Sequence, residues 1–214
     1  MKQYDAYLFD WDGTLARSLE LWLDEIYKQF CAYGLKITKK ENARLFGNLK
    51  SPLLYGLPEH LLSQFQEEIN AKVKAQLPNT PLYDDAKTML EALHAQGKKL
   101  ALITTSLRGL LDQVIGRHDL EKFFDVVITS EDVKHHKPDP EGILKALDSL
   151  AVAPGKALFL GDSSHDLLAA RNAGIDSVLF YPEVHELMYD LEHLQAHTPT
   201  YTVRAWRELI NQLQ

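Results

Sequence analysis

Two hydrophobic periods alternate along most of this chain, and one stretch near the front carries only the helical one. The first apolar run, Ala6, Tyr7, Leu8 and Phe9, ends at Asp10 and is followed by the turn-forming pair Asp12–Gly13. Strands of a parallel sheet are covered on both faces, so a short unbroken apolar run leading into a turn reads as a buried strand feeding a loop. From residue 18 to residue 77 the spacing is helical. Leu19, Trp22, Leu23, Ile26, Tyr27, Phe30 and Cys31 form one stripe, with Ser18 placed to cap the helix and Gly34 to stop it. On that stripe Cys31 is expected to pack in the core. Thr38 and Glu41 make a capping-box pair for a short second helix, and Pro58 opens a third whose Leu61, Leu62, Phe65, Ile69 and Val73 line one side. Pro78 and Pro81 then disfavour any continuing helix and mark a linker.

Beyond the linker the pattern predicts helices at 84–96, 109–117, 141–150 and 166–173, between strands at 99–104, 125–128, 157–161 and 177–180. A last apolar run at 201–203 and a helix at 205–213 close the series. Strand and helix in alternation specify a parallel sheet with helices on both faces. The expected fold is therefore α/β: a doubly wound, Rossmann-like core built from residues 1–15 and 85–214 with strand one central, and a helical domain inserted at 16–84.

Composition narrows the partners. The 214 residues are 45% hydrophobic and 25% charged, as in an ordinary globular protein. Thirty acidic against twenty-three basic residues leave a net charge of −7, and no run of Lys or Arg could track a phosphate backbone, so nucleic acid is not an expected partner. No apolar run approaches the roughly 18 residues of a membrane span, and the first ten residues lack a signal-like apolar stretch. A cytoplasmic location, as a monomer or weak homodimer, is the expectation. The single cysteine excludes an internal disulfide framework and a zinc site of several thiolates.

In an open parallel sheet, ligands bind beyond the carboxyl ends of the strands. This sequence sets polar residues there repeatedly: Asp10, Asp12 and Thr14 after the first strand, Thr104, Thr105 and Ser106 after the second, Lys137 after the third, and Gly161, Asp162 and Asp166 at the fourth. Taken singly, each has a plain reading, since Lys137 could be a surface lysine and Asp162 with Asp166 a helix-capping arrangement. Taken together and in this order, Asp10–Trp11–Asp12–Gly13–Thr14–Leu15, Thr104, Lys137 before Pro138–Asp139–Pro140, and Gly161–Asp162–Ser163–Ser164–His165–Asp166 resemble the four motifs of the haloacid dehalogenase superfamily. The insert between the first and second motifs is similar to that superfamily's helical cap.

The resemblance implies a phosphatase that uses Mg²⁺ and a phosphorylated Asp10, with a small phosphorylated metabolite as substrate. A carboxylate is a weak nucleophile, but at phosphorus it divides hydrolysis into two easier steps, provided that the charge of the phosphate is neutralised. Hard oxygen ligands from Asp10, the Asp12 backbone carbonyl and Asp162, with Asp166 close by, suit Mg²⁺. Lys137 supplies a further positive charge, and Thr104, with Thr105 beside it, offers hydrogen bonds to a phosphoryl oxygen. Asp12 is placed to protonate the leaving oxygen and then to deprotonate the attacking water. The histidines His135, His136 and His165 stand beside oxygen donors that magnesium prefers, which argues against zinc. In the insert, Arg44, Asn48 and Lys50 flank Gly47 in a segment that could reach the substrate, and Arg17 stands where many similar sequences carry an acid. The pattern is most similar to the phosphoglycolate phosphatase-like branch. A phosphomutase using the same aspartyl phosphate, and a non-catalytic module on the same fold, are the alternatives.

Overall fold

The computed structural model of the chain describes residues 2–46 and 48–213, so Gly47 lies outside the described residues. Six parallel strands form one sheet in the order β3-β2-β1-β4-β5-β6: β1 Ala6–Phe9, β2 Lys99–Ile103, β3 Val126–Ile128, β4 Ala157–Gly161, β5 Asp176–Phe180 and β6 Tyr201–Val203. The chain winds outward from β1 in one direction and then returns to wind in the other. This places the topological switch point between β1 and β4, where ligands bind in such folds.

Side chains alternate across the sheet as strand geometry requires. Tyr7, Phe9, Leu100, Leu102, Leu158 and Leu160 face one layer, which contains α5 Ala86–Ala95, α6 Arg108–Arg117 and α10 Trp206–Leu213. Ala6, Leu8, Ala101, Ile103, Ala157 and Phe159 face the other, covered by α7 Glu141–Leu150 and α8 Ser164–Asn172. With both faces covered, the sheet is doubly wound as the alternation predicts. The register pairs Phe9 with Leu102 on one side and with Leu160 on the other, so the three central strands end within one residue of one another. Asp10, Thr104 and Asp162 therefore emerge side by side.

The helices α1 Ser18–Ala32, α2 Lys39–Arg44, α3 Ser51–Leu54 and α4 Leu62–Gln76 bury an apolar cluster of their own around Phe30, Phe65, Ile69 and Val73. Thr38 and Glu41 form the expected capping box at α2. Three details differ from the pattern. Ser18 does not cap α1: Arg17 occupies the cap position without a side-chain bond, and the Ser18 hydroxyl is turned to Asp12 instead. Cys31 is exposed, because the buried face of α1 runs through Leu19 and Phe30 and takes in Gln29, whose amide bonds Glu68 and Lys72 of α4. Pro58 precedes a short 3₁₀ turn, Glu59–Leu61, before α4 begins, and the four-residue α3 had no periodic signal of its own. Between β5 and β6 the chain also forms a 3₁₀ turn, Glu183–Leu187, and a short α9, Leu191–Gln195. None of the helices among the described residues is long and apolar enough to cross a membrane.

Candidate active site

Immediately after β1 the chain turns sharply, and the turn is built around Gly13. Its φ of +82° is the left-handed conformation that L side chains avoid, and a Cβ there would stand 2.6 Å from Asp162 Oδ2 and 2.5 Å from Leu19 Cδ1. Only hydrogen fits. The turn thus closes directly onto the end of β4 and brings Asp10 and Asp12 against the β4 acids.

Asp10, Asp162 and Asp166 are all buried, and each offers a carboxylate oxygen within 4.8 Å of the others. Lys137 lies between two of them, its ammonium bonded to Asp10 Oδ1, to Asp166 Oδ1 at 2.7 Å and to the Ile103 carbonyl at 3.3 Å. Three acids against one lysine leave the cluster with excess negative charge. Burial, reinforced by the Asp166 and Asp12 charges and opposed by Lys137, pushes the Asp10 carboxyl up to about 7. Burial likewise raises Asp162 well above the usual range, with Asp166 and Asp10 adding to it. For Lys137 burial works against the charge, but Asp10 and Asp166 more than offset it, and the ammonium is held above its ordinary value.

Asp166 serves two purposes. Its Oδ2 accepts from the Ser163 amide at 3.0 Å and the Ser163 hydroxyl at 2.6 Å, completing a capping box on α8, while Oδ1 remains for Lys137. The helix-capping reading of this acid is correct, and the same carboxylate also reaches Lys137 in the acidic cluster. Asp162 is less satisfied. Its Oδ1 has Thr14 Oγ1 at 3.4 Å, Oδ2 is a buried oxygen without a close hydrogen-bond partner, and the Tyr189 hydroxyl acts on the carboxylate as a donor, against the effect of burial.

Asp12 is held differently. Its two oxygens accept from separate hydroxyls, Oδ1 from Ser18 at 2.6 Å and Oδ2 from Ser106 at 2.7 Å, so both sides of the carboxylate are tethered. The Thr104 hydroxyl is buried and accepts from the Ser106 amide at 3.0 Å, leaving its own proton to donate. Asp10, Asp12, Thr105, Lys137, Asp162, Asp166, Ser163, His165 and Tyr189 line one open cavity of about 340 Å³. Thr104 lines a much smaller neighbouring space with Thr105 and Lys137. Arg44 and Lys50 are exposed and are not among the residues lining the carboxylate cavity.

Sequence reasoning missed Tyr189, which enters from the segment between β5 and β6, and the roles of Ser18 and Ser106. The serines carried a partial signal, since Ser106 follows the two threonines at the end of β2. Tyr189 carried none. His135 lies away from the cavity with Asp139 and Glu141, and the Glu141 carboxylate there is already taken by the Lys134 and His135 amides and by Lys145.

A parallel sheet in this strand order, with paired aspartates, a threonine, a lysine and two further aspartates at successive strand ends, defines a hydrolase of the haloacid dehalogenase type. The chain belongs to that family: residues 7–180 match the sequence model of the haloacid dehalogenase-like hydrolases. A protein named pyrophosphatase PpaX from Bacillus velezensis is 30% identical, covering 98% of this chain and 96% of its own. One of the same name from Halalkalibacterium halodurans is 28% identical, with 98% and 96% covered. The solved structure of a haloacid dehalogenase-like family hydrolase from Streptococcus pneumoniae shares the fold with a TM-score of 0.77 at 23% identity, over 100% of both chains.

Proposed function

We propose that this enzyme is a Mg²⁺-dependent phosphatase in which Asp10 takes the phosphoryl group from a small phosphorylated metabolite and water then releases it. The observation that carries this reading is the asymmetry between the two acids of the β1 turn: Asp10 lies beside Lys137 within the acidic cluster, while Asp12 is tethered two residues away by Ser18 and Ser106. One acid is placed to attack and the other to move protons.

The donor set suits the cation. Three buried carboxylates, one with an unpartnered oxygen, offer hard ligands and more negative charge than Lys137 can balance. Asp10, the Asp12 backbone carbonyl and Asp162 would hold Mg²⁺, with Asp166 orienting the group around them. Mg²⁺ when bound would neutralise the charge between the Asp10 carboxylate and the incoming phosphate.

The chain's own residues do the rest. Lys137 holds Asp10 in place and offers its charge to the phosphoryl oxygens, and Thr104 and Thr105 donate to them. Asp10 Oδ attacks phosphorus as the ester oxygen leaves. Asp12 gives that oxygen a proton and afterwards withdraws one from the water that cleaves the acyl phosphate. Residues 16–84 act as a cap over this end of the sheet, and Arg44 and Lys50 lie on the part of it proposed to meet substrate when it closes.

For the substrate, the PpaX names of the relatives put inorganic pyrophosphate first, ahead of the phosphoglycolate that the sequence pattern alone favoured. The test is release of inorganic phosphate from pyrophosphate, phosphoglycolate, hexose phosphates and p-nitrophenyl phosphate, with Mg²⁺ and with chelator. Turnover is expected only with Mg²⁺ and highest for pyrophosphate. Full activity in excess chelator, or conversion of a hexose phosphate to its isomer without phosphate release, would count against this reading.

A further inference from the structure

The cavity that holds the carboxylates has a floor and a rim, and burial separates them. Asp10, Asp162 and Asp166 are buried, with the Lys137 ammonium among them, so a phosphoryl group that meets Asp10 would sit at the floor. Thr105 and His165 are exposed, and Tyr189 is half-buried. Whatever the phosphoryl group is attached to must pass these three side chains on its way out.

Tyr189 is the largest of the three and the most firmly held. Its amide donates to the His185 carbonyl at 2.8 Å, and its carbonyl accepts from the Tyr181 hydroxyl at 2.8 Å. The ring stands edge-on to His185, 5.6 Å between centroids. It also packs against a separate apolar cluster of Leu167 on α8, Leu179 on β5, Tyr181 and Leu194 on α9. The ring thus stands between that cluster and the cavity. Close-packed apolar residues yield little, so a side chain tied at both backbone groups and backed by them cannot retreat when a ligand presses on it. Exposed side chains such as Thr105 and His165 change rotamer readily. The space being guarded is small: about 340 Å³, near the lower end of the roughly 300–1,000 Å³ of ligand sites. A fixed ring at the rim of so small a cavity selects by clash.

We propose that Tyr189 is a specificity-determining residue, its ring a fixed wall that admits a small leaving group, such as inorganic phosphate or a two-carbon acid, and turns away a sugar or a nucleoside. The wall is the ring, and the hydroxyl, which donates to Asp162, has a separate part. This inference rests on Asp10 receiving the phosphoryl group, as proposed above.

The experiment measures kcat/KM with Mg²⁺ for two small substrates, pyrophosphate and phosphoglycolate, and two bulky ones, glucose 6-phosphate and adenosine 5′-monophosphate, in the wild type, Tyr189→Ala, Tyr189→Leu and Tyr189→Phe. The wild type should favour the small pair. Tyr189→Ala should raise the ratio of bulky to small about tenfold, and Tyr189→Leu, which keeps an apolar side chain against Leu167 and Leu194, should raise it by a smaller factor. Tyr189→Phe keeps the ring and loses the donor to Asp162, so it should act on all four substrates alike and hold the ratio within twofold of wild type. A uniform fall in Tyr189→Ala, with the ratio within twofold of wild type, would reduce Tyr189 to a support for the site and overturn the proposal. A ratio that moves as far in Tyr189→Phe as in Tyr189→Ala would assign selection to the hydroxyl and overturn it equally, as would a wild type that turns over the bulky pair as well as the small one. Should Tyr189→Ala fail to fold, Tyr189→Leu decides by the same twofold criterion. A wild type that releases phosphate from none of the four takes the reading of Asp10 down together with this inference, whereas an active wild type with unmoved ratios in the variants sinks this inference alone.

Discussion

Asp10 and Asp12 are two residues apart, yet their surroundings assign them different chemistry. Asp10 is bonded to an ammonium and pushed up by burial, with its acidic neighbours adding to it, while both Asp12 oxygens are tethered by hydroxyls. Their variants should fail differently. Asp10→Asn removes the proposed nucleophile, so activity should fall on the order of a thousandfold or more and no phosphoryl-enzyme should form. Asp12→Asn keeps the nucleophile but loses the proton carrier, so with p-nitrophenyl phosphate, whose leaving group needs little protonation, labelled enzyme should accumulate. A label that maps to Ser106, His165 or Cys31 instead of the peptide containing Asp10 would overturn the assignment. Ser106→Ala frees one side of Asp12 and should lower kcat about tenfold with little change in KM. An unchanged kcat would show that Ser18 alone fixes the acid. Residues that follow a strand directly, such as Asp10, Thr104 and Asp162, were legible because an apolar run announces where its polar end will lie. The role of Ser106 was not, because its partner is far away in sequence: it meets Asp12 across 94 residues.

At the scale of elements, α3, the Glu183–Leu187 turn and α9 were passed over by the periodicity for one cause. Each is only four or five residues long, too short for a helical repeat to register. The reading of Cys31 failed for a related reason, since an apolar stripe wider than the buried face leaves its margin undecided and the Gln29 contacts with α4 settle it. The loop that carries Lys137 was legible as a motif, but what holds it in place was not. It is anchored by Glu141, the first residue of α7, which accepts from the Lys134 and His135 amides at 3.1 and 2.9 Å. Lys145 first, then those amides, pull the Glu141 carboxyl from 4.5 down to about 2. A folded-state value below the unfolded one stabilises the protein above about pH 4.5, and that contribution is lost as pH falls toward 2. Glu141→Gln should therefore melt at a lower temperature than wild type at pH 7, and the gap should narrow steadily between pH 5 and pH 3. A gap that stays constant across that range would remove the carboxylate's charge from the account and leave only its shape.

For the whole molecule, the doubly wound sheet gathers three acids at one point, and the cost of that gathering determines how stability responds to pH and to Mg²⁺. The fold class was readable from the strand–helix alternation because it rests on local patterns. The excess charge at the site was not, since it arises only when β1 and β4 lie side by side. Burial raises Asp10 from 3.8 to about 7, so between those values the folded protein retains a proton that the unfolded chain has lost. Stability without metal should then fall as pH rises through that window, because the unfolded state binds fewer protons than the folded one. Mg²⁺ would compete with that proton, and its binding should release it. The rise in melting temperature produced by a fixed excess of MgCl₂ should accordingly be larger at pH 8 than at pH 5.5, and larger in the wild type than in Asp10→Asn at either pH. Scanning calorimetry on chelator-treated protein, with MgCl₂ added back, measures all four differences. A Mg²⁺ shift that is the same at both pH values, or that survives intact in Asp10→Asn, would mean that the cation binds elsewhere and that the buried acids balance their charge without it.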